Sequence, residues 1–139
     1  MDRQTFRVKD ASLSKSTALG NGNAAIVNSA SVDLQAITSL GARLTPAEVL
    51  LEAPALTGTQ APNGSAITYV VQMDSTTSFA SPTEVARVTQ ATAVTTGATA
   101  LSFRAGIPSD ADRYMRVQAT NNATVGDATA SEFEFSIVI

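Results

Sequence analysis

A chain of 139 residues with no His, Cys or Trp, only 15% charged residues and a formal net charge of −3 is poor in reactive groups. It lacks the side chain that most often moves protons near neutral pH and the usual zinc, iron–sulfur and disulfide chemistry; its acidic balance offers nucleic acid no attraction. About two-fifths of it is Ala, Ser and Thr, the composition of a structural or adhesive module more than of a catalyst.

The first fifteen residues are net basic through Arg3, Arg7, Lys9 and Lys15. They contain no apolar core of signal-peptide length, and no run in the chain approaches the roughly 18 apolar residues of a membrane span. The expectation is synthesis in a cytoplasm, no membrane partner, and a solvated or partner-docking N-terminus. Thr5–Val8 is a short strand candidate. Ser14-Lys15-Ser16 sets Ser beside Lys in a stretch that looks mobile, with no oxyanion-hole signature. After the Asn21-Gly22 turn come strand candidates at Ala25–Asn28 and Ser31–Leu34, then a long, weakly patterned connection to Thr45.

The next segment carries two conflicting signals. Thr45-Pro46-Ala47-Glu48 is a capping box with Pro at the first helical position, which predicts a short helix. Ala47, Val49, Leu51 and Ala53 also alternate with Glu48, Leu50 and Glu52, and Pro54 would stop a helix after about two turns. The strand is the preferred reading. Asn63-Gly64 is a turn. Ile67, Tyr69, Val71 and Met73 then share one face of a strand, with Thr68, Val70 and Gln72 on the other.

Asp74-Ser75-Thr76-Thr77-Ser78 predicts a loop built on Asx and Ser/Thr turns. Glu84–Gln90 and Ala100–Arg104 are further strand candidates, separated by the uncharged run Ala91–Thr99, which suits a flexible loop or an exposed interfacial strand. Asp110 and Asp112 fall in the turn before a clear strand, Arg113–Ala119; as a cation site they lack the further carboxylates of a calcium loop. Two Asn-x-Ser/Thr sites, at Asn63 and Asn122, read as turns. The chain ends on Phe133, Phe135, Ile137 and Ile139 alternating with Glu132, Glu134 and Ser136, near Asp127 in an acidic C-terminal stretch.

Short strands at near-regular spacing predict an all-β, single-domain antiparallel sandwich or barrel of about eight strands, with at most one short helix. A chain of this length buries about 68% of its unfolded surface and needs no staples. The expected domain spans residues 1–139, with 1–20 as a partly extended arm. No residue set calls for a cofactor, a metal or a catalytic role. Among aromatics, Tyr69, Phe103, Phe133 and Phe135 are expected in the core. Phe6, Phe79 and Tyr114 are the candidates for exposure or interface use, thin material for the sugar-stacking platform of a monomeric carbohydrate-binding or adhesin-like module.

Two stretches carry a family likeness. In the first, Tyr69 to Val85, a strand runs through Gln72-Met73-Asp74 into a polar loop closed by Phe79-Ala80-Ser81-Pro82. In the second, Phe103 to Val117, an Ile107-Pro108 turn precedes Arg113-Tyr114-Met115-Arg116-Val117. Their order and spacing, over roughly Ser31 to Ala119, resembles the capsid cement (decoration) proteins of short-tailed bacteriophages. The resemblance implies a jelly-roll-like fold and a homotrimer on the outer surface of the virion that binds the major capsid protein. Phe79 and Pro82 are then expected to fix the loop. Arg113 and Arg116, flanking Tyr114 on one strand face, are expected at a subunit interface, and Arg3, Phe6, Arg7 and Lys9 at the capsid contact.

Overall fold

Side-chain alternation sets the architecture. In β8 (Tyr114–Asn121), Met115, Val117, Ala119 and Asn121 are buried while Tyr114, Arg116, Gln118 and Thr120 lie half-exposed on the opposite face. A strand with one wet face needs a second layer against its dry one. The computed structural model, which describes residues 13–22, 24–34, 47–62, 66–92, 97–122 and 125–138, supplies it as two antiparallel sheets packed face to face.

Among the described residues there are nine strands and no α-helix. Sheet one runs β1 (Ser14–Ala18), β9 (Glu132–Val138), β4 (Glu48–Ala53), β7 (Leu101–Gly106); sheet two runs β2 (Ala25–Asn28), β8, β5 (Ala66–Asp74), β6 (Thr83–Ala91), with β3 (Val32–Asp33) also on β8. Leaving β3 aside, strands pair first with last: β1 with β9, β2 with β8, β4 with β7 and β5 with β6. The chain thus forms one long antiparallel ribbon, and the β4·β9 and β5·β8 ladders join its turns into sheets.

The core is the set of inward residues from both sheets: Val49, Leu51, Phe133, Phe135 and Ile137 against Ile67, Tyr69, Val71, Met115 and Val117. The Tyr69 and Phe133 rings meet edge to face at 5.5 Å across the two layers, the geometry aromatic quadrupoles prefer. Burial pushes the Tyr69 phenol well above its ordinary range. Its hydroxyl donates to Gln90 Oε1 (3.1 Å), and Gln90 Nε2 donates to the carbonyls of Pro54 and Thr99, both at 2.8 Å. One buried amide therefore ties together β5, β6, the residue after β4 and the approach to β7.

Several expectations change on contact with the structure. Glu48–Ala53 is a strand: its alternation aims Val49, Leu51 and Ala53 inward, and it sits between β7 and β9. Pairing on both edges outweighs a local helix signal, and Thr45 and Pro46 of the capping box lie outside the described residues. Ser14-Lys15-Ser16, expected to be mobile within the arm, belongs to β1, whose five residues pair one for one with Glu132–Ser136. It has no apolar stripe of its own; buried Leu13 and Leu19 anchor its ends. The expected Ser31–Leu34 strand shrinks to Val32–Asp33. The edge along β8 is broken there, because Ser29 inserts its hydroxyl to accept from Val117 N–H (2.9 Å) while its own N–H donates to Val117 O (2.9 Å). Thr5–Val8 lies outside the described residues. In the uncharged Ala91–Thr99 run, Gly97 has φ +76° and Ala98 bridges Leu56. A Cβ on Gly97 would stand 1.9 Å from Leu56 O, so only glycine serves.

Replacing Gln90 by Leu strands the Tyr69 hydroxyl and two carbonyls at once. Each orphaned buried group costs about 1–3 kcal/mol, so urea unfolding of Gln90→Leu should show a loss of several kcal/mol. Tyr69→Phe removes one partner and should cost roughly 1 kcal/mol. Equal losses would contradict the clasp.

Candidate interaction surface

The outward faces of the two sheets differ in chemistry. Sheet one shows Ser16, Glu134, Glu52 and Ser102 in one row and Ser14, Ser136, Leu50 and Arg104 in the next, with Glu48 and Glu132 beyond. It is acidic, and Glu52 stands directly opposite Glu134. Ser16 Oγ donates to Glu132 Oε2 at 2.7 Å, and Arg104 lies 3.6 Å from Glu48. Sheet two shows Ile26, Thr120, Thr68 and Thr89 in one row, then Asn28, Gln118, Val70 and Arg87, then Arg116 and Gln72. Val70, between Gln118 and Arg87 in the register, is only 6% exposed on this outer face.

The loop that follows β5 finishes the sheet-two face. Asp74, almost buried, accepts from Thr76 N–H at Oδ1 and from Ser81 N–H at Oδ2, both 3.1 Å, with the Ser75 hydroxyl adding a weak third bond. These bonds, the Thr76 amide first, hold its carboxyl below the ordinary value of 3.8. The Thr76 and Ser78 hydroxyls bond each other at 2.9 Å. The loop is thus the expected Asx and Ser/Thr arrangement. Phe79 is not the exposed ring expected: it is 6% exposed, with φ +48°. That backbone region is rare for a bulky residue and costs on the order of 1–3 kcal/mol. Phe79 is buried within the loop, while Pro82 is exposed at its exit.

The Phe79 ring meets β8. The Arg116 guanidinium carbon lies 4.2 Å from its centroid, a cation–π stack, and Arg116 Nε donates to Gln72 Oε1 at 2.9 Å. Partial burial lowers the Arg116 pKa, against a smaller opposing pull from Asp74. Tyr114 shares the outer face with Arg116, two residues away. Arg113 does not: it precedes the strand, grips Asp33 with Nε and Nη2 at 2.9–3.3 Å, and sets its guanidinium 5.0 Å from the Tyr114 ring. Asp33 raises the Arg113 pKa in turn. The structure therefore joins Tyr114 and Arg116 with Gln72, Phe79 and Asp74, and turns Arg113 to the rim. Arg3, Phe6, Arg7 and Lys9 lie outside the described residues.

Gln72 and Asp33 are the members that sequence reasoning missed. Gln72 opposite Arg116 follows only from the β5·β8 register, and Asp33 opposite Tyr114 only from the β3·β8 pairing. Elsewhere, Asp110 and Asp112 sit at the turn before β8, and among the described residues no group of three Asp or Glu is placed to hold a metal ion. A hollow of about 380 Å³ beside Leu56, Ala91, Ala98 and Thr99 has no ionisable lining group among the described residues. Neither a protein-family model nor a curated protein sequence matches the chain.

Because the Asp74 carboxyl is held low, its stabilisation is present above pH 4 and is lost as pH falls through its folded pKa. In an acid titration, amide resonances of Thr76 and Ser81 should move with a midpoint below the ordinary value of 3.8. Asp74→Asn should be less stable than wild type at pH 7, and the gap should close as pH falls toward 2; a gap that stays constant would contradict this role.

Proposed function

We propose that the chain is a non-enzymatic structural protein of a bacteriophage virion that binds the outside of the capsid and cements neighbouring major capsid proteins. One convergence carries this reading. The two stretches that resemble the cement family, Tyr69 to Val85 and Phe103 to Val117, are separated by 17 residues of sequence, and β5·β8 pairing brings them into contact: Phe79 from the first sits under Arg116 from the second, two residues along the strand from Tyr114. Residues that carry the resemblance meet at one place, where Arg116 and Tyr114, side-chain types enriched at protein contacts, lie with Gln72 over the buried Phe79 ring.

The first-with-last strand pairing supports the jelly-roll form of the sandwich. Long sheet edges at β6, β7 and β1 favour association that covers them, and a symmetric trimer gains avidity at repeated, individually weak capsid sites. The competing monomeric sugar-binding reading gains nothing from the described residues, where no aromatic ring is exposed: Tyr114 and Phe103 are half-buried and the others buried.

Light scattering on a sizing column should give three times the chain mass over a wide concentration range. Added to expanded empty shells of the cognate phage, the protein should co-sediment with them. A strict monomer that leaves shells bare would overturn the proposal. Reversing Arg3 and Arg7 to Glu should lower shell occupancy while the circular dichroism spectrum stays unchanged; undiminished occupancy would remove the N-terminal segment from the contact.

A further inference from the structure

Four arginines fall among the described residues, and three are matched to a carboxylate of their own chain: Arg87 to Glu84 at 2.7 Å, Arg113 to Asp33 at 2.9 Å and Arg104 to Glu48 at 3.6 Å. Arg116 is held differently. Its Nε bonds the neutral amide oxygen of Gln72 and its guanidinium lies over the Phe79 ring, so its position is fixed, and among the described residues no acceptor bonds its two terminal nitrogens. Asp74 is the nearby carboxylate, and its oxygens already accept from Thr76, Ser81 and Ser75.

This arrangement is costly for the isolated chain. A guanidinium is partly withdrawn from water with no carboxylate among the described residues bonded to it, over an aromatic residue in a strained backbone conformation. Strain that the surroundings hold in place is a pointer to function. A fixed planar fork is the geometry that takes a carboxylate through two parallel bonds, and it loses little entropy in doing so because Gln72 and Phe79 have already ordered it.

We infer that Arg116 is the anchor at which the outer face of sheet two receives the side-chain carboxylate of an Asp or Glu from a protein partner, with Tyr114 packing beside it. The charge balance favours a single carboxylate over a phosphate group: the Asp74 carboxylate adjoins Arg116 and the whole chain carries −3, so a dianion is repelled more strongly than a monoanion. Gln72 is the positioning residue. A Glu in its place would neutralise the guanidinium within the chain.

The anchor presupposes a protein partner, as the proposed function does; shell binding tests that function, whereas a titration in solution tests the anchor, so each can fail alone. The probe is the capped tripeptide acetyl-Gly-Glu-Gly-amide, added to ¹⁵N-labelled protein while the Arg116 Nε–H and Tyr114 resonances are followed. The Gln analogue of the peptide and inorganic phosphate serve as controls. Saturable shifts are expected with the Glu peptide and not with either control. Arg116→Lys and Gln72→Glu should each weaken the response by at least about tenfold, the scale of an interface hot spot. Gln72→Glu should melt at or above the wild-type temperature, which separates lost binding from lost folding. Absence of a saturable shift, an equal shift with the Gln peptide or phosphate, or an undiminished shift in Gln72→Glu would overturn the assignment.

Discussion

The register of β5 against β8 is the constraint on which both the core and the candidate surface depend. Because side chains alternate, one alignment places Tyr69, Val71 and Met73 opposite Ala119, Val117 and Met115 on the inside and, with the same step, Gln72 opposite Arg116 on the outside. A slip of one residue would either turn Tyr69 away from Phe133 and Gln90 or carry Arg116 into the interlayer space. The free energy that holds the register comes from the buried face, where several large apolar side chains each contribute about 1.5–3 kcal/mol. The polar face inherits its geometry from that burial.

Charge is distributed so that the outer faces are not interchangeable. On sheet one the carboxylates of Glu48, Glu52, Glu132 and Glu134 are set among serines. Like charges facing each other on paired strands cost stability, and the Glu52–Glu134 pair lies at the centre of that sheet. Sheet two carries mostly Thr, Asn and Gln, with Arg87 and Arg113 neutralised within the chain. A surface of neutral amides and hydroxyls is cheaper to desolvate than one of carboxylates, so the sheet-two face is the better suited to be covered by a protein.

Most of the strand framework was legible because its alternation is strong. The faces of β5, β8 and β9 follow from Ile67–Met73, Met115–Ala119 and Phe133–Ile137 without reference to the fold. β1 was not legible: Ser14 to Ala18 carries no apolar stripe, and only the backbone of β9 makes it a strand. β4 carried helix and strand signals together, and its central position between β7 and β9 resolved them. The candidate surface was half legible. Arg113, Tyr114 and Arg116 stand out as residues, yet their separation into a rim cation and a face cation depends on where β8 begins. The partners Asp33 and Gln72 are set by pairing over 80 and 44 residues of chain, which no local pattern encodes. Phe79 was misplaced for a similar reason: a Phe in a run of Ser and Thr reads as exposed until Asp74 folds the loop back over β8.

That loop shows why a chain so poor in reactive groups can still build a specific surface. Asp74 gathers backbone N–H groups that the turn leaves unpaired, and this fixes the chain tightly enough to hold Phe79 in the left-handed region. Phe79 supplies the platform for Arg116, and Gln72 sets the guanidinium's direction. Each step orders the next with ordinary hydrogen bonds and one cation–π contact. The entropy of fixing a long Arg side chain, up to about 2 kcal/mol, is therefore borne largely in folding. A partner that meets Arg116 finds its fork already oriented, and more of the contact energy remains for affinity and for selection among carboxylate-bearing surfaces.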